Sequence, residues 1–318
     1  MRLFEHPDFR AVVIETAAQT GMPVQLVEKD YYVTEALRAI ANSHGTHVVF
    51  KGGTSLSKGW RLIQRFSEDI DLFLNPASYE APLGIHAVDR ELRRVRDAVG
   101  SHPAFDYDQS RKKTIGGFGR DDYFLYKSAL DALPGTPPEV KIEIGIQSGD
   151  FPVEMVNISS LVGDLLIARG QGGEAEDLEP FEMALLHYRR TFVEKLFALH
   201  SKIQRLLIDG VPLQRDARHY ADLYVLAGTA EVAGMLASKE YDIIRRDYDE
   251  KSQHFFPKSH RPPPGLSFAK SEMIWLPASI SAAVEQGYAQ DCERLFWDGS
   301  MPPFGAVLER LQSLADRL

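Results

Sequence analysis

One cysteine, Cys292, stands in a chain of 318 residues, so no intramolecular disulfide can form. The opening residues, MRLFEHPDFR, lack the basic start and apolar run of a secretory signal. No stretch is free of Arg, Glu or Asp for long enough to span a bilayer. Together these absences lead to the expectation of a cytoplasmic protein with no membrane partner. Positive charge is also short: 36 Lys and Arg face 45 Asp and Glu, a net charge of -9. This balance argues against a broad electrostatic grip on nucleic acid, since such binding comes mainly from basic side chains neutralising phosphates, and leaves room for a local patch. Basic residues cluster at Arg93-Arg94-Arg96, Arg111-Lys112-Lys113, Arg189-Arg190 and Arg245-Arg246. Each cluster taken alone reads as a solvated helix face or turn. What is present is the balance of a globular chain, 44% hydrophobic and 25% charged, long enough for one large domain or two ordinary ones.

Apolar positions recur at helical spacing over residues 9–42, and Gly21-Met22-Pro23 divides them into two amphipathic helices. The run His47-Val48-Val49-Phe50-Lys51 predicts a strand, which Gly52-Gly53 turns into a short helix at Thr54-Ser55-Leu56. Ile70, Leu72 and Phe73-Leu74 mark a second strand ended by Asn75-Pro76. Residues 84–99 read as a helix, and strands are expected near 105–109, 123–129 and 140–146, the last two punctuated by Pro134, Pro137 and Pro138. Long helical patterns then take over at 161–168, 191–207, 215–226 and 303–318. A loop rich in Gly and Glu at 170–180 reads as the joint between two halves, and 260–264 as a Pro-rich interruption.

The chemistry concentrates in Phe50-Lys51-Gly52-Gly53-Thr54-Ser55-Leu56 and Arg65-Phe66-Ser67-Glu68-Asp69-Ile70-Asp71-Leu72. Residues two apart on a strand share a face, so Asp69 and Asp71 present two carboxylates together while Ile70 and Leu72 face a core. Two such charges are costly side by side unless a cation neutralises them, and Mg2+ or Mn2+ with substrate phosphates is the expected partner. Gly52 and Gly53 offer bare backbone, and the amides of Thr54 and Ser55 can cradle a triphosphate. An edge strand with one wet face, and an ordinary turn with its helix cap, explain the same residues blandly when each stretch is taken alone. Their pairing favours the functional reading. A P-loop is excluded because Lys58 lies between Ser57 and Gly59, and Gly116-Gly117-Phe118-Gly119 is too compressed for a dinucleotide fingerprint. Glu143, sharing a strand face with Lys141 and Gly145, is the candidate third carboxylate for catalysis and metal binding, or else a solvent-facing residue of a half-buried strand. Arg65 is expected to meet nucleotide phosphates or Asp69, and Ser67 to bond to the turn; either can also be structural only.

These motifs, with Arg190-Thr191-Phe192-Val193-Glu194-Lys195-Leu196 and Arg218-His219-Tyr220-Ala221-Asp222-Leu223-Tyr224, resemble the AbiEii/AbiGii family of nucleotidyltransferase toxins. The resemblance spans roughly residues 48–226. It implies an α+β fold: a polymerase-β-like core with a mixed sheet and N-terminal helices over 1–170, then a mainly helical domain over 171–318 that brings Lys195 and Asp222 to the cleft. It further implies that Gly53, Thr54 and Ser55 hold nucleotide phosphates and that Asp69 and Asp71 bind the metal. Lys195 would contact phosphates or developing charge, and Asp222 would act near the acceptor or fix the surroundings of the lysine. His219 and Tyr220 read as packing and hydrogen-bonding residues.

The function that the resemblance implies is transfer of a nucleoside monophosphate from an NTP to an RNA, at the 3′ end of tRNA, with growth arrest as the result and a cognate antitoxin as partner. The basic residues Arg189-Arg190 and Lys202 to Arg205, on the helix of Lys195, would offer a local path for the RNA end. Two alternatives stay open: the same chemistry on a protein or small-molecule hydroxyl, and a nucleotide-binding regulator without turnover.

Overall fold

A computed structural model describes the chain apart from residues 66, 68, 132–136, 174, 294, 297 and 298. Pro134, in the expected loop of the last hairpin, therefore lies outside the described residues, as do Phe66 and Glu68 of the acidic motif. The chain divides into two compact units. The first comprises Met1–Trp60, Phe66–Ile146 and Val153–Leu185, and the second Arg61–Arg65, Gln147–Pro152 and Leu186–Leu318.

In the first unit, α1 (Phe9–Thr20) stops where Gly21 takes φ +69 and returns its amide to the Ala17 carbonyl, the left-handed cap that glycine adopts without steric cost. Pro23 then leads into α2 (Val24–His44), the best buried helix of the unit. Val27, Val33, Ala36, Leu37 and Ile40 are covered almost completely. The sheet begins with β1 (Val48–Lys51) and turns through α3 (Gly52–Thr54), which continues as one widened helical turn over Ser55–Gly59. It continues with β2 (Asp69–Leu74), then α4 (Ile85–Gly100), β3 (Asp106–Tyr107), β4 (Lys113–Ile115), β5 (Gly119–Leu125) and β6 (Glu139–Gly145). After these come β7 (Val153–Ile158), α5 (Leu161–Ala168) and β8 (Phe181–Leu186).

The strands run in the order β3-β5-β6-β2-β1-β8-β7, with β4 on β5. The pairs β2–β6 and β1–β8 are parallel, while β1–β2, β5–β6, β3–β5 and β4–β5 are antiparallel, so the sheet is mixed as expected. Val48, Phe50, Ile70, Leu72, Ile142 and Ile144 form one core with α2. Their alternation with Asp69, Asp71, Lys141 and Glu143 is the period-two pattern of a strand buried on one side.

Three strands escape the sequence pattern, the short β4 together with β7 and β8. β7 carries Glu154, Met155 and Asn157 exposed, with no clean alternation, and β8 follows the Gly- and Glu-rich stretch that reads as a joint between halves. That stretch instead links α5 to β8 inside the first unit, and the sheet extends past residue 170 to Leu186.

The second unit is helical: α6 (Tyr188–Asp209), α7 (His219–Leu226), α8 (Ala230–Leu236), α9 (Glu240–Phe255), α10 (Ala278–Glu293) and α11 (Phe304–Leu314). The His187 side chain accepts the Arg189 amide at the start of α6, and Gly210 at φ +66 closes its end. Arg190, with no exposed surface, pairs with Glu194 at 3.2 Å and Asp247 at 2.6 Å, and donates to the Phe151 carbonyl. A Cβ on Gly149 would sit 1.8 Å from that guanidinium, which is why the segment 147–152 passes there with a glycine. No helix among the described residues is long and apolar enough to cross a membrane.

Leu37 has no exposed surface in the layer between α2 and the sheet. Leu37→Ala is expected to cost about 2–5 kcal/mol through lost burial and the cavity left behind, measured as a shift of the urea unfolding midpoint.

Candidate active site

The antiparallel pairing of β1 and β2 sets Lys51 opposite Asp71, the parallel pairing of β2 and β6 sets Asp71 beside Glu143, and β5 sets Asp121 beside Glu143. One row across four strands thus reads Lys51, Asp71, Glu143, Asp121. The next row on the same face holds Asp69, Lys141 and Tyr123. Ile70 and Leu72 point to the opposite, buried face.

Like charges directly opposed in a sheet are destabilising, so this row needs cations. Lys141 supplies one: its Nζ is hydrogen-bonded to Glu143 and lies 3.7 Å from the Asp69 carboxylate. Burial works against its charge, but Glu143 and Asp69 outweigh burial and raise its pKa above the ordinary lysine value. Asp121 is buried to 9% exposure, and its pKa is raised, first by burial and then by the charge of Glu143. Lys113 approaches it at 3.9 Å.

The glycine turn meets this row directly. Gly52 adopts φ +75, and a Cβ there would lie 2.0 Å from the Asp71 Oδ2. Glycine is required twice, once for the left-handed backbone and once because the Asp71 carboxylate fills the space of a side chain. Thr54 Oγ1 donates to the Asp69 carbonyl at 2.5 Å, tying the turn to the first residue of β2. Ser55 gives both its hydroxyl and its amide to the Gly52 carbonyl. Ser55, whose amide the sequence suggested for a phosphate, thus has its donors turned inward, shaping the turn. Ser67 is buried just ahead of β2.

Among the described residues no group of three or more His, Cys, Asp or Glu converges as a metal cage. The donor set nevertheless suits Mg2+, which binds through one or two carboxylates and leaves the rest of its shell to water and substrate phosphates. Asp69 and Asp71 offer hard oxygen ligands on one strand face, and an ammonium already stands beside Asp69 as a counter-charge. Glu143, expected as a third ligand, holds the Lys141 ammonium.

In the second unit Lys195 on α6 and Asp222 on α7 meet. Lys195 Nζ is 2.8 Å from Asp222 Oδ2, and Arg65 closes on the same carboxylate with Nε to Oδ1 and Nη2 to Oδ2, both at 2.7 Å. Arg65, Lys195 and Asp222 are 1%, 6% and 0% exposed. Burial alone would raise the Asp222 pKa, but Arg65 and Lys195 hold it well below the usual carboxylate range. Burial lowers the Lys195 pKa, with Asp222 opposing and Arg65 adding to the effect. Asp222 is a fixed counter-charge in this geometry. Arg65, expected to meet phosphates or Asp69, forms a two-pronged pair with Asp222.

Several residues of the basic clusters form ion pairs. Arg189 meets Glu240 at 3.0 Å, Lys202 pairs with Asp216, and Arg190 is buried as described. Arg93, Arg94 and Arg96 meet Asp89, Glu91 and Asp97, and Arg111 spans Asp108 and Glu139. Of the basic residues expected on α6 to offer a path for an RNA end, Arg189, Arg190 and Lys202 thus stand beside carboxylates.

Sequence reasoning missed Asp121. The stretch Gly119-Arg120-Asp121-Asp122-Tyr123 is charged on both strand faces, because Arg120 and Asp122 form their own buried pair on the far side, with Tyr107 donating to Asp122 at 2.8 Å. No alternation was left to flag it.

Gly52→Ala is expected to lower the melting temperature and to displace the Asp71 carboxylate. The left-handed backbone alone costs roughly 1–2 kcal/mol with a Cβ present. Thermal unfolding and a nucleotidyl-transfer assay on the same sample check both effects.

Residues 35–310 match the family described as Nucleotidyl transferase AbiEii toxin, Type IV TA system. No curated protein sequence matches the chain. Among solved structures, MenT4, a nucleotidyltransferase toxin from Mycobacterium tuberculosis H37Rv, aligns over 96% of both chains with a TM-score of 0.53 at 18% identity. At that identity the likeness concerns the fold, an α+β architecture with a mixed sheet and a helical C-terminal part. With the family match running through both units, the chain belongs to the AbiEii family of nucleotidyltransferase toxins of type IV toxin–antitoxin systems.

Proposed function

We propose that this toxin transfers a nucleoside monophosphate from an NTP to the 3′ end of tRNA in the cytoplasm, with pyrophosphate released, so that translation and growth stop until a cognate antitoxin intervenes. The observation that carries the reading is the packing of Gly52 against the Asp71 carboxylate, which joins the glycine turn and the acidic pair in one place. Asp69 and Asp71 would hold Mg2+ or Mn2+, with Glu143 as the third carboxylate of the set. When bound, the metal would neutralise phosphate charge and orient the triphosphate.

The protein's own groups supply the rest. The backbone of Gly53 and Thr54 binds phosphate oxygens, as unencumbered amides at the start of a helical turn do. Lys141 balances the carboxylate row while substrate is absent. Lys195, a cation kept in a dry setting, acts on phosphate charge, where low dielectric strengthens the attraction. Asp222 keeps that lysine charged.

Incubation with total tRNA, Mg2+ and each labelled NTP tests the reading. Label is expected on RNA from one or more nucleotides, and Asp69→Asn or Asp71→Asn is expected to reduce it by roughly two to three orders of magnitude or more. Absence of label on RNA with every NTP would overturn the acceptor, and label on protein or on a small hydroxylated compound would name its replacement.

A further inference from the structure

Lys195 has three N–H donors. Among the described residues, Asp222 Oδ2 takes one at 2.8 Å and His219 Nδ1 a second at 3.2 Å. The lysine side chain is only 7% exposed, so a third donor without a protein acceptor is costly unless something else meets it. His219 stands one helical turn before Asp222 on α7, which puts both acceptors on the same helix face. Arg65 grips Asp222 by both oxygens, the paired geometry that a guanidinium can give and an ammonium cannot.

We propose that His219 and Arg65 are positioning residues for Lys195. His219 accepts one ammonium hydrogen, Arg65 locks the carboxylate that accepts the second, and the remaining N–H is aimed in one direction, at a phosphoryl oxygen. The proposal rests on Lys195 acting on substrate phosphate.

His219 can accept at Nδ1 only as a neutral ring protonated at Nε2. The surrounding charges favour that form: burial and then the Lys195 ammonium push its pKa down to about 4, although Asp222 and Asp216 pull the other way. Asp216, 3.8 Å from Nε2, is itself paired with Lys202. Arg218 adds positive charge near Lys195. The ring is therefore uncharged across the neutral range, and the Asp216 carboxylate beside Nε2 favours the proton there, which leaves Nδ1 to accept from Lys195.

The side-chain Nζ–H spectrum of the full chain labelled with 15N-lysine reads this arrangement without any substrate. A slowly exchanging Lys195 signal is expected in the wild type, identified by its loss in Lys195→Met. His219→Asn places an amide oxygen near the position of Nδ1 and should retain the signal. His219→Gln, equally polar, offers its oxygen at the Nε2 position and should accelerate hydrogen exchange by about tenfold or more, as should Arg65→Gln. Melting curves for each variant separate unfolding from loss of orientation, and Arg65→Lys provides a milder change if Arg65→Gln does not fold. An unchanged signal in both His219→Gln and the Arg65 variant, or no protected lysine signal in the wild type, would overturn the proposal. Retained transfer activity in Lys195→Met would instead sink the role of the lysine while leaving these spectra as they are.

Discussion

The carboxylate of Asp71 occupies the volume where residue 52 would carry a side chain, and much of the first unit serves to keep it there. The register of β1 against β2 decides which residue of the turn meets which residue of the strand. That register is held by Val48, Phe50, Ile70 and Leu72, whose burial fails if either strand slips by one position. The Thr54 hydroxyl adds a local tie to the start of β2. A close contact between two short motifs is thus held in place by the core beneath the sheet, to which the long buried helix α2 contributes.

Charge in this protein is managed by concentration and enclosure. The surplus of acid over base is felt most on the sheet face, where Asp69, Asp71, Glu143 and Asp121 lie together with Lys141 among them. Elsewhere arginines and lysines meet carboxylates on their own or neighbouring elements, including the fully buried pair of Arg65 with Asp222 and the pair of buried Arg190 with the partly exposed Asp247. Buried pairs of this kind add little stability over apolar packing, yet removing one partner strands the other, so they fix arrangement more than they add energy.

The acidic strand was legible in the sequence because Asp69-Ile70-Asp71-Leu72 alternates cleanly and only one face is wet. Glu143 was legible for the same reason on β6. Asp121 was not, since its strand carries charge on both faces, and β8 was not, since a loop-like composition precedes it. The partner of Arg65 was not legible for a different reason: a guanidinium next to an acidic motif suggests a phosphate contact or a purely structural role, and only the tertiary fold reveals a carboxylate 157 residues away in sequence. Local pattern reports which face of an element is buried. It cannot report which distant charge shares that burial.

Residues 61–65 and 147–152 fold with the helical unit although residues of the first unit flank them in sequence on both sides. The chain therefore passes between units at 60/61, 65/66, 146/147, 152/153 and 185/186. Ending it after residue 185 would leave Arg65 and Gly149 without the Asp222 and Arg190 they are fitted to. Recombination at the 185/186 linker alone would not move the helical unit whole, because two of its segments, residues 61–65 and 147–152, lie within the stretch of chain that carries the sheet.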